Sequence, residues 1–359
     1  MDLKVFLKSQ QRDISLRLIS WYEENSRSLP WRETNDSYKI WVSEVILQQT
    51  RVAQGLNYYL QFIEKFPTVK ALSESSEKEV LKAWQGLGYY TRARNLYKGA
   101  KTVVKQYNGR LPPNYKEIIS ISGIGEYTAA AILSIAYNKP YAVVDGNVYR
   151  VLSRLFAIDT PIDTSIGKKQ FSKLAQELLY IDNPGKYNQA IMEFGALHCT
   201  PLQPKCDFCP LQELCVAKQF NMQSELPVKS RKVKVRKRYF HYFQMEINGY
   251  TFLKKRTDND IWKNMYEFPL IETDQEADLS DLVEDEYFKV LFSDADITFQ
   301  QNIKQIKHIL THQHIYANFY IVKAIKLNGY LDSHYIKVKK DDINLYPISR
   351  LIHRYLEQI

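Results

Sequence analysis

Ile121-Ser122-Gly123-Ile124-Gly125-Glu126-Tyr127-Thr128-Ala129-Ala130 is the stretch on which the fold turns. It lies between two segments with the 3.6-residue apolar period of helices. Gly-Ile-Gly lets the backbone turn sharply there and begin the next helix with unpaired amides. Such a helix end carries positive dipole and binds an anion without reading sequence, as a phosphate contact requires. A Gly-x-Gly pair alone is also a common tight turn between helices, so its meaning depends on its surroundings.

Outward from that turn, the helical period recurs at residues 14–22, 38–47, 56–66, 78–87, 94–107, 128–137, 148–156 and 171–179. Pro, Gly and Asn punctuate the gaps, as in Asn108-Gly109-Arg110-Leu111-Pro112-Pro113. Residues 1–220 therefore read as helical throughout. No repeat of 20–50 residues is present, which excludes a solenoid. The pattern changes near residue 221. From 221 to 238 the chain is polar, contains Pro227, and sets Lys229, Arg231, Lys232, Lys234, Arg236, Lys237 and Arg238 against Glu225. Two readings stand for this stretch: a linker lying along a polyanion, or a solvated hinge with no partner. Beyond it, residues 239–247, 251–255, 315–322 and 335–338 are aromatic or β-branched, as short strands are. The acidic stretch 272–286 reads as a solvated loop and helix rather than a metal site.

A length of 359 residues accommodates two domains with separate cores. The 49 Lys+Arg against 40 Asp+Glu give a net charge of +9 and a pI near 9.0. That balance permits phosphate neutralisation without requiring it. The first 15 residues lack the apolar core and small-residue cleavage site of a signal peptide. No apolar run approaches the roughly 18 residues of a membrane span. The expectation is a soluble cytoplasmic protein without a membrane partner.

The four cysteines agree with a reducing compartment. All lie between Cys199 and Cys215, spaced C-x6-C-x2-C-x5-C with Cys206 and Cys209. A disulfide framework would scatter them. Structural zinc usually takes two separated C-x2-C pairs, which this segment lacks. A [4Fe–4S] cluster matches four thiolates in one short loop, and is favoured over zinc. Lys205 and Lys218 flank the loop, either as phosphate contacts or as ordinary surface lysines.

Two carboxylates stand out. Asp145, in Val143-Val144-Asp145-Gly146-Asn147-Val148, follows Gly125 by twenty residues. It reads as a helix N-cap, and that position favours an ionised carboxylate at neutral pH. Glu44 lies within Ile40-Trp41-Val42-Ser43-Glu44-Val45-Ile46-Leu47, an otherwise mostly apolar helix. It is either a residue of the helix's polar edge or a desolvated carboxyl with a raised pKa. One protonated and one ionised carboxyl is the division of labour that glycosidic cleavage requires.

Taken together these motifs resemble the helix-hairpin-helix DNA glycosylase superfamily with an iron–sulfur cluster. Within it, Leu29-Pro30-Trp31-Arg32, Trp41 to Thr50, Trp84-Gln85-Gly86-Leu87-Gly88-Tyr89-Tyr90 and Val144 to Val148 resemble the MutY adenine DNA glycosylases. The likeness covers nearly all of residues 10–220 and continues weakly at 262–269 and 308–312. It implies a two-lobed, mostly α catalytic domain over 1–220. One lobe, about 30–137, would carry the hairpin; the other, 1–29 with 138–220, would hold the [4Fe–4S] cluster on Cys199, Cys206, Cys209 and Cys215. A basic linker, 221–237, would lead to an α+β Nudix-like domain, 238–359.

The resemblance also implies roles. Adenine opposite 8-oxoguanine or guanine would be flipped from duplex DNA and cut away by a monomeric enzyme. Glu44 would protonate the base at N7, and Asp145 would stabilise the sugar cation. Tyr127 and Asn147 would position Glu44, the water and the sugar. Trp31, Arg32, Leu47 and Gln189 would line the adenine pocket. Gln49 would fill the vacated stack, Thr50, Leu87 and Tyr89 would touch the lesion base, and Gly123 and Gly125 would hold a phosphate. Leu310, Thr311 and His312 would read the lesion, although the family usually has Phe-Ser-His there. Glu126, an acid beside the phosphate site, is a second departure. The related endonuclease III family has a lysine where this chain has Tyr127; tyrosine cannot form a Schiff base. A Nudix catalytic signature is absent. Two other readings stay in view: a pyrimidine-lesion glycosylase/lyase, and an iron–sulfur DNA-binding or redox-sensing protein without catalysis.

Overall fold

In a computed structural model, residues 3–230, 235–300, 304–327 and 329–358 are described. Gly123 has φ +87°, and a Cβ there would stand 3.2 Å from the Asn95 carbonyl carbon, so the turn admits only glycine. The helices as far as residue 220 are, in chain order, α1 Leu3–Asn25, α2 Ser37–Leu47, α3 Val52–Lys65, α4 Val69–Glu74, α5 Glu77–Ala83, α6 Thr91–Tyr107, α7 Tyr115–Ile118, α8 Glu126–Tyr137, α9 Gly146–Leu155, α10 Ser165–Leu178, α11 Pro184–Leu197 and α12 Val216–Gln219. Among the described residues four more, Leu279–Leu282, Glu286–Phe292, Gly329–His334 and Arg350–Leu356, lie in the last third of the chain. The described chain forms two compact units: 3–74 with 95–230, and 75–94 with 235–358.

In the first unit, α1 and α9 each pack on α11, and α2 packs on α8. One core joins Leu18, Ala131, Val151, Leu152, Phe171, Leu178, Tyr187 and Phe194. Side-chain caps start these helices: Asp36 for α2, Asp145 for α9, Thr164 for α10 and Asn183 for α11. Helix α11 is absent from the periodic segments read above, because Pro184, Gly185 and Gly195 look like breaks. Pro184 instead occupies the first turn, where its missing N–H costs nothing. Gly195 allows a close crossing: a Cβ there would lie 2.7 Å from Asn147 Cβ. Helix α5 ends at Ala83 rather than at residue 87, since Gly86 and Gly88 adopt positive φ.

The second unit is α+β, as expected. Its strands are β1 Arg236–Glu246, β2 Tyr250–Lys255, β3 Tyr266–Glu267, β4 Leu270–Thr273, β5 Asp296–Phe299, β6 Lys304–Ile309, β7 Gln313–Lys326 and β8 Ile336–Lys339. One sheet runs β4-β1-β7-β5 with β6 also on β7; the other runs β3-β2-β8. Strands β1 and β7 are parallel. Phe243, Met245, Leu291, Tyr320, Val322 and Leu331 form the core beside them.

Part of the basic stretch is not free to follow a polyanion. Arg238 is buried, with bidentate bonds to Asp260 (2.7 and 3.0 Å) and to Glu272 (2.6 Å for both). It belongs to the second unit's interior, and Glu272 of the acidic stretch is its partner. Lys229, Arg236 and Lys237 are exposed; Arg231, Lys232 and Lys234 lie outside the described residues. Among the described residues no helix is long and apolar enough to cross a membrane.

Candidate active site

Twelve of the expected site residues line one cavity of about 840 Å³ in the first unit: Glu44, Tyr127, Asp145, Asn147, Trp31, Arg32, Leu47, Gln189, Gln49, Thr50, Gly123 and Gly125. Helix α2 supplies Glu44 from a row in which Ile40, Trp41, Val42, Val45 and Ile46 are all buried. Glu44 is therefore desolvated too, at 8% exposure, and not on a polar edge. The Tyr127 hydroxyl donates to its Oε2 at 2.6 Å. Burial pushes the Glu44 pKa up to about 7; the charge of Asp145 adds to this, while the Tyr127 bond and Arg32 oppose it. Burial and the neighbouring carboxylates hold the Tyr127 phenol far above its ordinary range, so it remains a donor.

Asp145 caps α9. Its Oδ1 accepts from the backbone N–H of Asn147 (2.9 Å) and Val148 (2.8 Å), and its Oδ2 from Asn147 Nδ2 (2.8 Å). The cap is present as read, and two opposing influences act on its pKa. Burial raises it, and outweighs the three N–H donors and Arg150, which lower it. Glu44 has a single O–H donor where Asp145 has three N–H donors. A proton shared by this carboxyl pair accordingly rests on Glu44, and Asp145 carries the charge. Asn147 bonds Asp145 and not Glu44. Its Oδ1 in turn accepts from Arg150 at 2.9 Å, and Arg150 also donates to the carbonyls of Gly195 (2.6 Å) and Cys199 (2.7 Å).

Arg27, Arg32 and Glu193 complete the cavity wall. Glu193 is 1% exposed and accepts from Arg27 Nε (2.7 Å), Arg27 Nη2 (2.5 Å), Arg32 Nη1 (2.9 Å) and Arg32 Nη2 (2.7 Å). Burial raises its pKa, yet the two arginines outweigh that and hold it near about 2. Sequence reading missed Arg27, Arg150 and Glu193. Only the spacing of Glu193 four residues after Gln189 could have placed it on the same helical face. Trp31 is buried and meets Tyr59 edge-on at 5.1 Å, so it is core and cavity wall at once. Gln189 faces the cavity, with its Oε1 accepting from Tyr22 at 2.9 Å. Gln49 holds φ +56°, a left-handed conformation uncommon away from glycine and often retained where function uses it.

The other five expected residues gather in the second unit. Leu87, Tyr89, Leu310, Thr311 and His312 line a cavity of about 430 Å³, together with Trp262, His308 and Arg350. Leu310-Thr311-His312 form the tip between β6 and β7, closed by Leu310 N–H to the Gln313 carbonyl at 2.8 Å. The hydroxyls of Tyr89 and Thr311 are 2.8 Å apart, and Tyr89 also holds a positive φ, +49°.

The four cysteines, none in a disulfide, line a third, small cavity together. Three sulfurs accept N–H donors: Cys199 from Arg154 (3.5 Å), Cys209 from Leu211 (3.4 Å) and Cys206 from Gln223 (3.9 Å). Burial raises the thiols of Cys199, Cys209 and Cys215, Cys209 up to about 12, so thiolates here require a cationic centre among them. Lys218 pairs with Asp207 at 2.7 Å at the rim.

Residues 42–178 match the family model described as HhH-GPD superfamily base excision DNA repair protein, and the NUDIX domain model matches 241–358. An adenine DNA glycosylase of Buchnera aphidicola from Acyrthosiphon pisum is 37% identical over 261 residues, covering 72% of this chain and 75% of that one. The chain belongs to the adenine DNA glycosylase family. The human adenine DNA glycosylase is 44% identical over 218 residues, 58% of this chain and 40% of that one. A thermostable thymine-DNA glycosylase of known structure superposes with TM-score 0.55 at 28% identity, covering 59% of this chain and 98% of that one.

In this glycosylase Glu193 is the most exposed to test by stability. Glu193→Gln removes one charge facing two cations, and breaking a buried pair costs 3–5 kcal/mol. Because the Arg27 side chain is one-third exposed, the expected loss is at the lower end, about 3 kcal/mol at pH 7. The folded pKa of Glu193 is depressed, so the stability it adds is present above the unfolded value and lost as pH falls. Urea unfolding of wild type and variant should therefore converge as pH drops from about 4.5 toward 2.

Proposed function

We propose that this glycosylase flips adenine paired with 8-oxoguanine or guanine out of duplex DNA and hydrolyses its N-glycosidic bond without cutting the strand. The observation that carries the reading is the pair of carboxyls in one cavity, one buried under a tyrosine hydroxyl and one capping a helix N-terminus. Glu44 delivers its proton to adenine N7. The C1′–N9 bond then breaks with its electrons leaving on a neutral base. Asp145 faces the oxocarbenium ion that develops on the sugar, held in place by Asn147 and Arg150. Water adds at C1′ and surrenders a proton to the Glu44 carboxylate, which restores the acid and leaves an abasic site. Among the described residues lining the cavity there is no lysine, which supports hydrolysis over Schiff-base lyase chemistry.

Cys199, Cys206, Cys209 and Cys215 would hold a [4Fe–4S] cluster; the all-thiol donor set, the common cavity and the N–H donors on three sulfurs fit one. Bound there, it supplies a cationic centre that keeps the thiolates ionised and the loop closed. We read residues 1–220 as the catalytic domain, 221–237 as a linker and 238–359 as the lesion-reading domain, in a monomer acting on DNA in the cytoplasm.

The deciding experiment incubates the protein with duplexes bearing A opposite 8-oxoguanine, A opposite G, and thymine glycol opposite A. Alkali-dependent cleavage at adenine alone is expected. Cleavage at thymine glycol, or strand scission trapped by borohydride, would overturn the reading. Tyr89→Phe removes the hydroxyl pair with Thr311. One exposed hydrogen bond is worth about 1 kcal/mol, so the preference for 8-oxoguanine over guanine should fall about fivefold, measured as the ratio of single-turnover rates.

A further inference from the structure

The chain places a histidine directly before the first cysteine of the cluster loop. His198 ends α11 and is 7% exposed. Its ring is fixed on both sides, stacked on Phe194 with centroids 4.9 Å apart and meeting Trp21 edge-on at 5.7 Å. The backbone is fixed as well, by His198 N–H to the Phe194 carbonyl at 2.9 Å and Lys205 N–H to the His198 carbonyl at 3.1 Å. Yet its Nε2 is buried with no hydrogen-bond partner among the described residues. A buried polar nitrogen left unpaired costs about 1–3 kcal/mol. Such a cost persists where something absent from the protein atoms satisfies the group. The cavity His198 lines is the one lined by all four thiols.

We propose that His198 donates an N–H···S hydrogen bond from Nε2 to the cluster, and so sets its reduction potential. The inference rests on the cluster reading given above. It follows from what surrounds the nitrogen. A neutral imidazole carries one N–H, and the four cysteine sulfurs share the cavity that His198 lines. The Lys205 backbone is a second claimant for that proton at the ring. Hydrogen bonds to cluster and ligand sulfurs stabilise the more negative, reduced state and raise its potential. Arg154, Leu211 and Gln223 serve the thiols of Cys199, Cys209 and Cys206 in the same way. His198 adds a donor from a ring nitrogen that has no partner among the described residues.

The test uses the full-length protein as purified. Iron, acid-labile sulfide and the visible spectrum are measured first on wild type. Absence of iron and sulfide overturns the cluster reading, and this inference with it. With the cluster present, voltammetry and resonance Raman in H2O and D2O are compared for wild type, His198→Phe and His198→Gln. In His198→Phe the potential should fall, shifting the reduced-to-oxidised ratio at fixed potential about tenfold, the worth of one charge-assisted bond. The deuterium-sensitive Fe–S stretch should vanish with it. His198→Gln retains an N–H and should keep both near wild type. A fully loaded His198→Phe protein with unchanged potential and unchanged deuterium shift overturns the inference while leaving the cluster in place. Should His198→Phe fail to hold iron, His198→Leu gives the same comparison, with the same result overturning it.

Discussion

Replacing Glu44 by glutamine is expected to slow adenine release by about 10²–10⁴ in single-turnover assays while mismatch binding stays within about twofold. Glutamine keeps the shape and can still accept from the Tyr127 hydroxyl, but has no proton to give. The wild-type pH profile follows from the same residue. The acid is competent when protonated, so the rate should hold below a pKa of about 7 and decline tenfold per unit above it. Glu44→Gln should show a flat profile over that limb. Stability falls with rising pH as activity does, but begins to fall lower on the scale. A carboxyl whose folded pKa is raised binds its proton more tightly when folded, so the protein loses stability as pH rises from about 4.5 through about 7. At pH 8 the substitution removes that penalty and should stabilise the fold by about 2–3 kcal/mol. A normal rate in Glu44→Gln would remove the acid from the scheme. A slow rate with a wild-type pH profile would assign the titration elsewhere.

The site was legible in the sequence wherever its chemistry is local. Asp145 with Gly146 and Asn147 announces a capped helix, and the cap is there. Gly123 must be glycine because of its own φ and the neighbouring Asn95 backbone. Glu44 in an apolar helix left a polar edge and a desolvated carboxyl both open, and the packing of α2 takes the second. What failed was distant pairing. Glu193 meets Arg27 and Arg32 across 166 and 161 residues, and no local pattern ties them. Helix α11 was missed because Pro184, Gly185 and Gly195 obey rules set by the cap at Asn183 and by the packing of α9. Arg150 needed the cysteine loop to be folded beside it before its partners existed. The pKa of Asp145 answers to both scales. The cap is local and lowers it, whereas burial is collective and wins. In the second unit the paired positive-φ turn and hairpin tip were read as separate motifs, and the fold makes them one cavity wall.

Asp145→Asn separates the two jobs its side chain holds. Asparagine is as good an N-cap as aspartate, so the bonds from the Asn147 and Val148 amides survive and α9 should start where it does now. The charge does not survive. Removing a preorganised group from the site of developing charge typically costs about 10²–10³ in rate, and that is the loss expected for adenine release. Folding should not suffer. The raised pKa means the ionised carboxylate is less comfortable folded than unfolded, a penalty present at neutral pH and relieved as pH falls. A neutral side chain is spared it, so the urea midpoint at pH 7 should stay level or rise. Asp145→Ala provides the contrast: it loses the cap as well, at about 1 kcal/mol, with a rate no lower than that of Asp145→Asn. A stable, inactive Asp145→Asn protein means the cap is the scaffold and the charge is the function. If Asp145→Asn kept the wild-type rate, Asp145 would be only the start of a helix, and the stabilising charge would have to come from another group than Glu193, which Arg27 and Arg32 already neutralise.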